Sequence, residues 1–478
     1  MIKYDYIIVG SGPTGLSIAS ILSKFNKKCL ILDKETTIGG CHRVQRIDEF
    51  FSEHGPRIYL DSFINFKNIL SLMDINFNNL FTNYNFNILN ISGNSLKILK
   101  IKELINLTIE FIWFSINSNR SKQKSVLDIS NYYNFSEESK NYLDKLCRLI
   151  DGAGSDRFTL YQLFQTFNQN FLYNIKIPRI ANDKLLFKLW KKKLLENNVE
   201  IKNNININNI NILNKSIDYI TDTNNNKYYG NNFIFSIPIE NYNKIYNLSN
   251  QFNSNYYVNK FTKLTKYETY ISITFHWNKE IELNKIYGFP KSEWDIYFIV
   301  LSDYMDMEFE KSKTLISCCI ANTNKKSNFN KKTANECNKQ ELIDETFRVL
   351  KLSFPKLKKA DKELLSPNVY KNNKNEWESS DKSYIRVKNI EKFPIKSNKL
   401  NNLYSVGTHN LNSNYDSTTI ESAVQNSIYF CNNIIPETKN IIELENIWKI
   451  TNFIYIFIIY IICYIYLIFI IPNYKYND

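Results

Sequence analysis

The fold of this chain is decided by the stretch MIKYDYIIVGSGPTGLSIASILSKFNKKCLILDKETTIGG, residues 1–40. Its apolar run at 6–9 predicts a buried parallel strand. The run ends in a glycine-rich turn at 10–15 that fits G-x-G-x-x-G, and a helical pattern follows. A second strand is predicted at 29–32, with Asp33 directly after it. Strand, glycine turn, helix, strand and acidic residue in this order predict a dinucleotide-binding unit.

The glycines of this turn each have a physical reason. Gly10 permits a tight turn, Gly12 lets backbone approach a pyrophosphate, and Gly15 lets the helix pack on the strand. The start of the helix offers free N–H groups and a partial positive charge to phosphates. Asp33 can accept hydrogen bonds from a ribose. The cofactor-binding residues predicted in this stretch are Gly10, Gly12, Pro13, Thr14, Gly15, Asp33 and Lys34.

A second glycine pair, Gly39 and Gly40, stands shortly before Arg43. The pair lets backbone close over the far side of a diphosphate, and Arg43 adds a fixed charge. Here the chain resembles the flavin-containing amine oxidoreductases, with protoporphyrinogen oxidase and phytoene desaturase as relatives. In that family a Gly-Gly-Arg segment lines FAD, and in this chain the arginine stands two positions later. The chain is also similar to UDP-galactopyranose mutase, which carries Ile-Gly-Gly where this chain has residues 38–40.

The resemblance extends to two later blocks of the sequence. A helix–strand–hairpin–strand order after residue 178 is similar to the family's second FAD segment, which implies a backbone contact from Val199 to the adenine end. In the third block a strand ends at Gly407, and a helix begins near 417 whose N-terminus can hold negative charge. His409 replaces the acidic residue common in the family. The further cofactor contacts expected are Gly39, Gly40, Arg43, Val199, Gly407, Thr408, Thr418 and Thr419.

Two residues are candidates for the substrate side of the flavin. His54 precedes the turn 55–59, which in the family reaches the flavin ring; a surface histidine on a loop is the alternative. Tyr415 falls where the family often has an aromatic residue facing the flavin. We therefore predict His54 and Tyr415 as catalytic residues. We predict no metal site, because no set of cysteines and histidines has zinc-ligand spacing.

The fold class expected from the resemblance is α/β. A Rossmann-like FAD-binding domain is built from discontinuous segments at 1–61, 178–245 and 396–438. An α+β substrate domain is interleaved with it, mostly helical at 62–177 and rich in β-structure at 246–395. The remaining residues, 439–478, are predicted to be a linker and a C-terminal transmembrane helix.

The transmembrane prediction rests on residues 453–471, FIYIFIIYIICYIYLIFII, which hold no charge over nineteen positions. A helix of this length would span about 28 Å, near the thickness of the hydrocarbon core of a bilayer. We predict a tail-anchored protein with a single-pass C-terminal anchor and a catalytic domain that faces the cytosol. A buried helix is the alternative.

Composition narrows the class of protein. The net charge is +13 over 478 residues, and no nucleic-acid recognition motif accompanies it. We therefore expect a solvated basic surface first, attraction to an anionic membrane second, and no nucleic-acid partner. The twelve glycines form one G-x-G-x-x-G, which argues against a second nucleotide domain. The eight cysteines form no C-x-x-C, which argues against a disulfide reductase.

The leading hypothesis is an FAD-dependent oxidoreductase of the amine oxidase type, which transfers hydride from an amine or another small organic substrate to flavin. The alternatives are a flavin-dependent isomerase similar to UDP-galactopyranose mutase and a catalytically inactive flavin-binding membrane protein. The FAD is expected to be non-covalent. Relatives that attach flavin use a cysteine shortly before the third segment, and residues 338–430 contain none. The oligomeric state is left open.

Overall fold

A computed structural model of the chain describes residues 3–84, 87–89, 98–172, 174–248, 266–283, 286–288, 292–385, 392–413 and 419–445, with Ile458 and Ile461. The helices in these residues are α1 (Pro13–Ser23), α2 (Ile64–Leu72), α3 (Phe77–Leu80), α4 (Ile101–Ile116), α5 (Ser118–Lys122), α6 (Val126–Tyr132), α7 (Glu137–Asp151), α8 (Leu160–Leu172), α9 (Leu186–Glu196), α10 (Ile239–Leu248), α11 (Lys339–Ser353) and α12 (Ile420–Ile434). The strands are β1 (Lys3–Val9), β2 (Cys29–Leu32), β3 (Val44–Ile47), β4 (Phe50–Glu53), β5 (Tyr59–Leu60), β6 (Phe81–Asn83), β7 (Asn87–Leu89), β8 (Ile175–Pro178), β9 (Glu200–Lys202), β10 (Ile207–Leu213), β11 (Ser216–Asp222), β12 (Lys227–Phe235), β13 (Lys266–Glu268), β14 (Ile271–Trp277), β15 (Ile286–Gly288), β16 (Ile296–Val300), β17 (Thr314–Ile320), β18 (Lys362–Leu365), β19 (Val369–Lys371), β20 (Trp377–Ser379), β21 (Ser383–Ile385) and β22 (Leu403–Ser405).

The larger sheet has a parallel centre, with the order β10-β11-β12-β1-β2-β9 and β22 beside β12. Strand β1 is central because it is apolar on both faces: Ile8 packs into one core cluster and Ile7 into the other. In the register of the parallel pairs, Val9 lies opposite both Leu32 and Phe235. Phe235 in turn lies opposite Ser405. The carboxyl ends of β1, β2, β12 and β22 therefore meet at one edge.

Helices cover one face of this sheet, and α10 with the β10–β11 hairpin covers the other. The first face takes the apolar sides of α1, α2, α9 and α12. Trp190 of α9 is fully buried there, and its indole N–H donates to the Ser20 hydroxyl at 2.9 Å. This packing fixes α1, and with it the glycine turn that precedes α1.

The second sheet has the order β18-β14-β17-β16-β15-β7. One of its faces packs on α11 through an apolar cluster that includes Phe275 and Leu342. Its opposite face includes Thr274, whose hydroxyl donates to the Phe51 carbonyl of the β3–β4 hairpin at 3.2 Å. Helices α4 to α8 surround a further apolar cluster within residues 98–172.

The strands of the larger sheet come from three separate stretches of sequence, residues 3–32, 200–235 and 403–405. These stretches lie within 1–61, 178–245 and 396–438. The boundaries of the domains themselves stay a prediction. The parallel centre with helices on it makes the fold a mixed α/β fold of the Rossmann-like kind.

The predicted C-terminal membrane helix requires a correction. None of the helices in the described residues is long and apolar enough to cross a bilayer. The predicted span, 453–471, lies outside the described residues except for Ile458 and Ile461. An uncharged run meets the length requirement, but crossing a bilayer also needs a continuous helix that satisfies its own backbone. The finding contradicts the predicted membrane anchor, the tail-anchored topology and the location facing the cytosol.

Candidate functional site

A cavity of about 510 Å³ opens at the edge where the carboxyl ends of the parallel strands meet. The predicted cofactor-binding residues on its wall are Gly10, Gly12, Pro13, Thr14, Asp33, Lys34, Gly40, Arg43, Gly407, Thr408 and Thr419. These predicted residues come from the first and third blocks of sequence, and the second block contributes wall residues that were not predicted, such as those at 205–208 and 236–238. Ligands of open α/β sheets bind at this edge.

The glycine turn leaves room on its cavity side and none behind it. Gly10 has a φ of +106°, and a side chain there would meet the Ser236 carbonyl oxygen at 2.7 Å. A side chain at Gly15 would collide with the Gly10 carbonyl oxygen, whereas one at Gly12 would meet nothing closer than 3.7 Å. Gly10 and Gly15 therefore serve the fold, and Gly12 faces open space.

Helix α1 presents its amino end to the cavity. Pro13 is its first residue, and Gly12 precedes it without a side-chain cap. The first N–H bonded inside the helix is that of Leu16, which donates to the Gly12 carbonyl at 3.0 Å. The N–H groups of Thr14 and Gly15 have no partner within the helix and carry its partial positive charge. This end of α1 can hold an anion.

Asp33 is fixed at the end of β2. Its Oδ2 accepts from the Ser11 N–H at 2.6 Å and from the Ser11 hydroxyl at 2.5 Å. Its Oδ1 accepts from the Glu35 N–H at 2.9 Å. A carboxylate has about four acceptor positions, so a ribose hydroxyl can still donate to this one.

The second glycine pair lies against the first turn. A side chain on Gly40, which has a φ of +55°, would meet the Gly12 Cα at 2.9 Å. The two glycines form a narrow, side-chain-free place that suits a diphosphate. Arg43 follows, with its Nη1 at 2.9 Å from the Gly40 carbonyl and 2.8 Å from the Asp381 carboxylate. Its buried Nη2 has no hydrogen-bond partner among the described residues.

The third block closes another side of the cavity. The Asn410 side chain accepts from the Gly407 N–H at 2.7 Å and so fixes the turn after β22. His409 stands where the acidic residue was expected, and its Nε2 lies 3.0 Å from the Ser405 hydroxyl. Burial lowers the pKa of His409 to about 3, so the ring is neutral at pH 7. Thr419 caps α12 by accepting from the Ser422 N–H at 3.2 Å.

Several wall residues were not predicted from the sequence. They are His42, Arg57, residues 205–208, residues 236–238, Asn241, Lys244, Ile245, residues 380–382 and Ala423. Residues 205–208 reach the wall because the Ile205 N–H donates to the Asp33 carbonyl at 2.8 Å. Residues 380–382 form the turn between β20 and β21, two strands outside both large sheets, and no local motif marks them. For Arg57, the unusual Gly-Pro-Arg turn was the available signal.

The structure places Gly15, Gly39 and Val199 off the cavity wall, and two further predicted site residues fall outside the part of the chain that it describes. Gly15 and Gly39 lie behind the wall, and the Gly39 backbone packs on the Phe187 ring. Val199 lies in the hydrophobic core, with its N–H bonded to the Leu194 carbonyl at 3.0 Å. Tyr415 and Thr418 lie outside the described residues.

His54 is buried beside the second sheet and does not line the cavity. Its ring packs edge-on to Tyr270, with the ring centroids 5.1 Å apart. Burial lowers the pKa of His54 well below its usual value, so the ring is neutral at pH 7. Among the described residues, no group of three or more His, Cys, Asp or Glu side chains could hold a metal ion.

The charges on the wall suit an anionic ligand. Its basic residues are Lys34, Arg43, Arg57, Lys244 and Lys382, and its acidic residues are Asp33, Glu35 and Asp381. The excess is positive, and it lies beside the amino end of α1. Together with the Arg43 nitrogen that makes no hydrogen bond to any described residue and the two close glycines, these residues fit the diphosphate of a dinucleotide.

Sequence comparison supports this reading of the first block. Residues 8–74 match the sequence model of the NAD(P)-binding Rossmann-like domain. A shorter match links the chain to the UDP-galactopyranose mutase of Mycoplasma genitalium, at 37% identity over 62 residues. That match covers 12% of this chain and 15% of the mutase.

Solved structures extend the likeness over most of the chain. An oxidoreductase from Methanosarcina mazei superposes with a TM-score of 0.64 at 12% identity, over 89% of this chain and 99% of the other. A protein named as a protoporphyrinogen oxidase, from Exiguobacterium sp., gives 0.63 at 12% identity, over 91% and 100%. Putrescine oxidase with bound putrescine gives 0.64 at 12% identity, over 91% and 99%. The chain therefore shares the fold of these three oxidoreductases, and the resemblance predicted from the sequence is confirmed at the level of fold.

Proposed function

We propose that this protein is an FAD-dependent oxidoreductase of the amine oxidase type. The observation that carries the proposal is the cavity at the carboxyl edge of the parallel strands. There the amino end of α1, the Gly12–Gly40 approach and the Nη2 of Arg43, which makes no hydrogen bond among the described residues, all suit one diphosphate. The likeness to flavin-type oxidoreductase folds supports FAD as the dinucleotide.

The residues of this chain would bind and orient the cofactor. Asp33 would hold the ribose of the adenosine half, α1 and Arg43 the diphosphate, and the turn at Gly407 and Thr408 the flavin half. FAD, when bound, would supply the acceptor for a hydride from the substrate. Neutral His409 would donate or accept a hydrogen bond without placing a charge beside the cofactor. We keep the predicted roles of His54 and Tyr415 on the substrate side as part of the proposal.

The first experiment is the visible absorption spectrum of the purified full chain before and after acid precipitation. A flavin spectrum is expected, and the flavin should stay in the supernatant because its binding is proposed to be non-covalent. Flavin that precipitates with the protein would contradict non-covalent binding. A colourless protein that cannot be reconstituted with added FAD would overturn the proposed function.

The substrate class is tested by anaerobic mixing of the flavin-loaded protein with a panel of amines, putrescine included. If an amine is the substrate, it is expected to reduce the bound flavin, and the visible absorbance of the oxidised flavin should disappear after mixing. A porphyrinogen and a polyene serve as the other members of the panel. Bleaching by one of these and by no amine would keep the oxidoreductase but reject the amine oxidase type.

A second function is favoured by one specific observation, the match over 62 residues to UDP-galactopyranose mutase. A mutase-like isomerase would convert UDP-galactopyranose with reduced flavin and without net oxidation. Formation of a sugar isomer by chemically reduced protein would favour it over the oxidoreductase. A third outcome is a protein that binds flavin but neither oxidises any substrate of the panel nor isomerises the sugar nucleotide. That result would indicate a flavin-binding protein without catalytic activity.

A further inference from the structure

Arg43 joins the cavity wall to the turn between β20 and β21 through a buried ion pair with Asp381. Its Nη1 lies 2.8 Å from Oδ1 of Asp381, and the two side chains are 4% and 6% exposed. Its Nη2 lies 3.3 Å from a Glu35 oxygen but has no hydrogen-bond partner among the described residues. A buried guanidinium needs its donors satisfied as well as its charge, so a nitrogen on a cavity wall that makes no hydrogen bond is available to donate to an anion.

Asp381 is itself held firmly in the turn between β20 and β21. Its Oδ2 accepts from the Asn368 side chain at 2.6 Å, and its N–H donates to the Ser379 hydroxyl at 3.2 Å. The next residue, Lys382, accepts from the Cys41 thiol at 3.5 Å, close to the second glycine pair. The turn is therefore packed against the segment that carries Arg43 and cannot shift without disturbing it.

We propose that Asp381 is a positioning residue for cofactor binding, which acts by aiming Arg43 at the anionic diphosphate. This inference rests on the proposed function and deepens it. The ion pair with Asp381 engages Nη1, whereas Nη2 makes no hydrogen bond within the described part of the chain and can donate to a phosphate oxygen, a division that the planar fork of arginine allows. Because Asp381 belongs to the second half of the chain, binding of the dinucleotide links the two halves.

The test is a double-mutant cycle with Asp381→Ala, Arg43→Gln and the double variant. The dissociation constant of FAD for each apoprotein is measured by quenching of flavin fluorescence, and that of ADP by calorimetry. Arg43→Gln is expected to weaken both about tenfold or more, and Asp381→Ala about tenfold. In the Arg43→Gln background, Asp381→Ala is expected to change neither constant, because its effect passes through Arg43.

Asp381→Asn and Arg46→Gln are the controls. Asparagine keeps an oxygen that can accept from Arg43, so binding should stay within about threefold of wild type. Arg46, three residues further along and off the cavity wall, forms ion pairs with Asp183 at 2.8 Å and with Glu310 at 2.6 Å. Arg46→Gln should lower the melting temperature as Asp381→Ala does, with FAD binding unchanged.

Two results would overturn the inference: an Asp381→Ala effect that persists in the Arg43→Gln background, or no effect of Asp381→Ala on either ligand. Measuring ADP binding as well as FAD binding distinguishes failure of this inference from failure of the proposed function. Wild-type protein that binds ADP but not FAD would reject the flavoenzyme, while the cycle with ADP would still decide the role of Asp381. Wild-type protein that binds neither would overturn both.

Discussion

Glu421 on α12 caps the amino end of α2, although 356 residues separate it from Asn65. Its Oε1 accepts from the Asn65 N–H at 3.1 Å and from the Asn65 side-chain amide at 2.8 Å. Its Oε2 accepts from the Phe66 N–H at 2.9 Å. Helix α2 has Phe63 before it and no side-chain cap of its own. The contact therefore fixes α12, whose first turn stands on the cavity wall.

Glu421→Ala is expected to lower the free energy of unfolding by about 2–3 kcal/mol, because it leaves buried N–H groups of α2 without a partner. Urea unfolding of the two proteins measures the difference. The exposed Glu437 beyond α12 gives the control, since Glu437→Ala should change stability by less than about 0.5 kcal/mol. Equal losses in both variants would contradict the capping role.

The glycine turn gives a matched pair of substitutions. Gly15→Ala is expected to unfold or strongly destabilise the protein, because its methyl group would collide with the Gly10 carbonyl. Gly12→Ala should fold with a melting temperature near wild type, because its methyl group meets nothing within 3.7 Å. It should nevertheless bind FAD at least about tenfold more weakly, since that space is proposed for the diphosphate. Unimpaired FAD binding by Gly12→Ala would contradict the proposed position of the diphosphate beside Gly12.

Three of the four histidines, His54, His276 and His409, are buried, and burial of a neutral imidazole makes the protein acid-sensitive. Burial lowers the pKa of His276 to about 4, below the ordinary value near 6.5. As the pH falls below about 6.5, the unfolded chain takes up this proton before the folded protein does, so stability is lost towards pH 4. His276→Gln should reduce this loss by about 1.4 kcal/mol per pH unit. Urea unfolding at pH 7 and pH 5 tests it, and an unchanged slope would refute it.

Glu53 has the opposite pH dependence. Burial raises its pKa from 4.5 to about 7, and its Oε1 has no hydrogen-bond partner among the described residues. As the pH rises from about 4.5 to 7, the unfolded chain ionises first, so wild-type stability falls. Relative to wild type, Glu53→Gln should therefore gain up to about 3 kcal/mol between pH 4.5 and pH 8.

The control for Glu53 lies on the same hairpin, where Glu49 is exposed. Glu49→Gln should show no such pH-dependent gain. Infrared difference spectra between pH 6 and pH 8 should contain a protonated-carboxyl band that Glu53→Gln lacks. A band that persists in Glu53→Gln would assign the titration to another group.

The sequence predicted the first strand, the glycine turn, the helix and the strand that ends before Asp33, because each depends on contacts within a few residues. Apolar runs and glycine spacing report such local geometry. The same local criterion gave the membrane helix, where a charge-free run met the length requirement and the prediction was wrong. A run of apolar residues indicates that these side chains avoid water, but it does not specify which structure removes them from water.

The sequence by itself determined a Rossmann-like α/β fold and the residues of the turn at 10–15. The tertiary structure decided which distant residues stand around that turn. Asp381, residues 205–208 and the cap from Glu421 depend on strand pairing and packing across hundreds of residues, and no local pattern encodes them. A buried charge such as Arg43 acquires its role only from the partners that the completed fold brings to it.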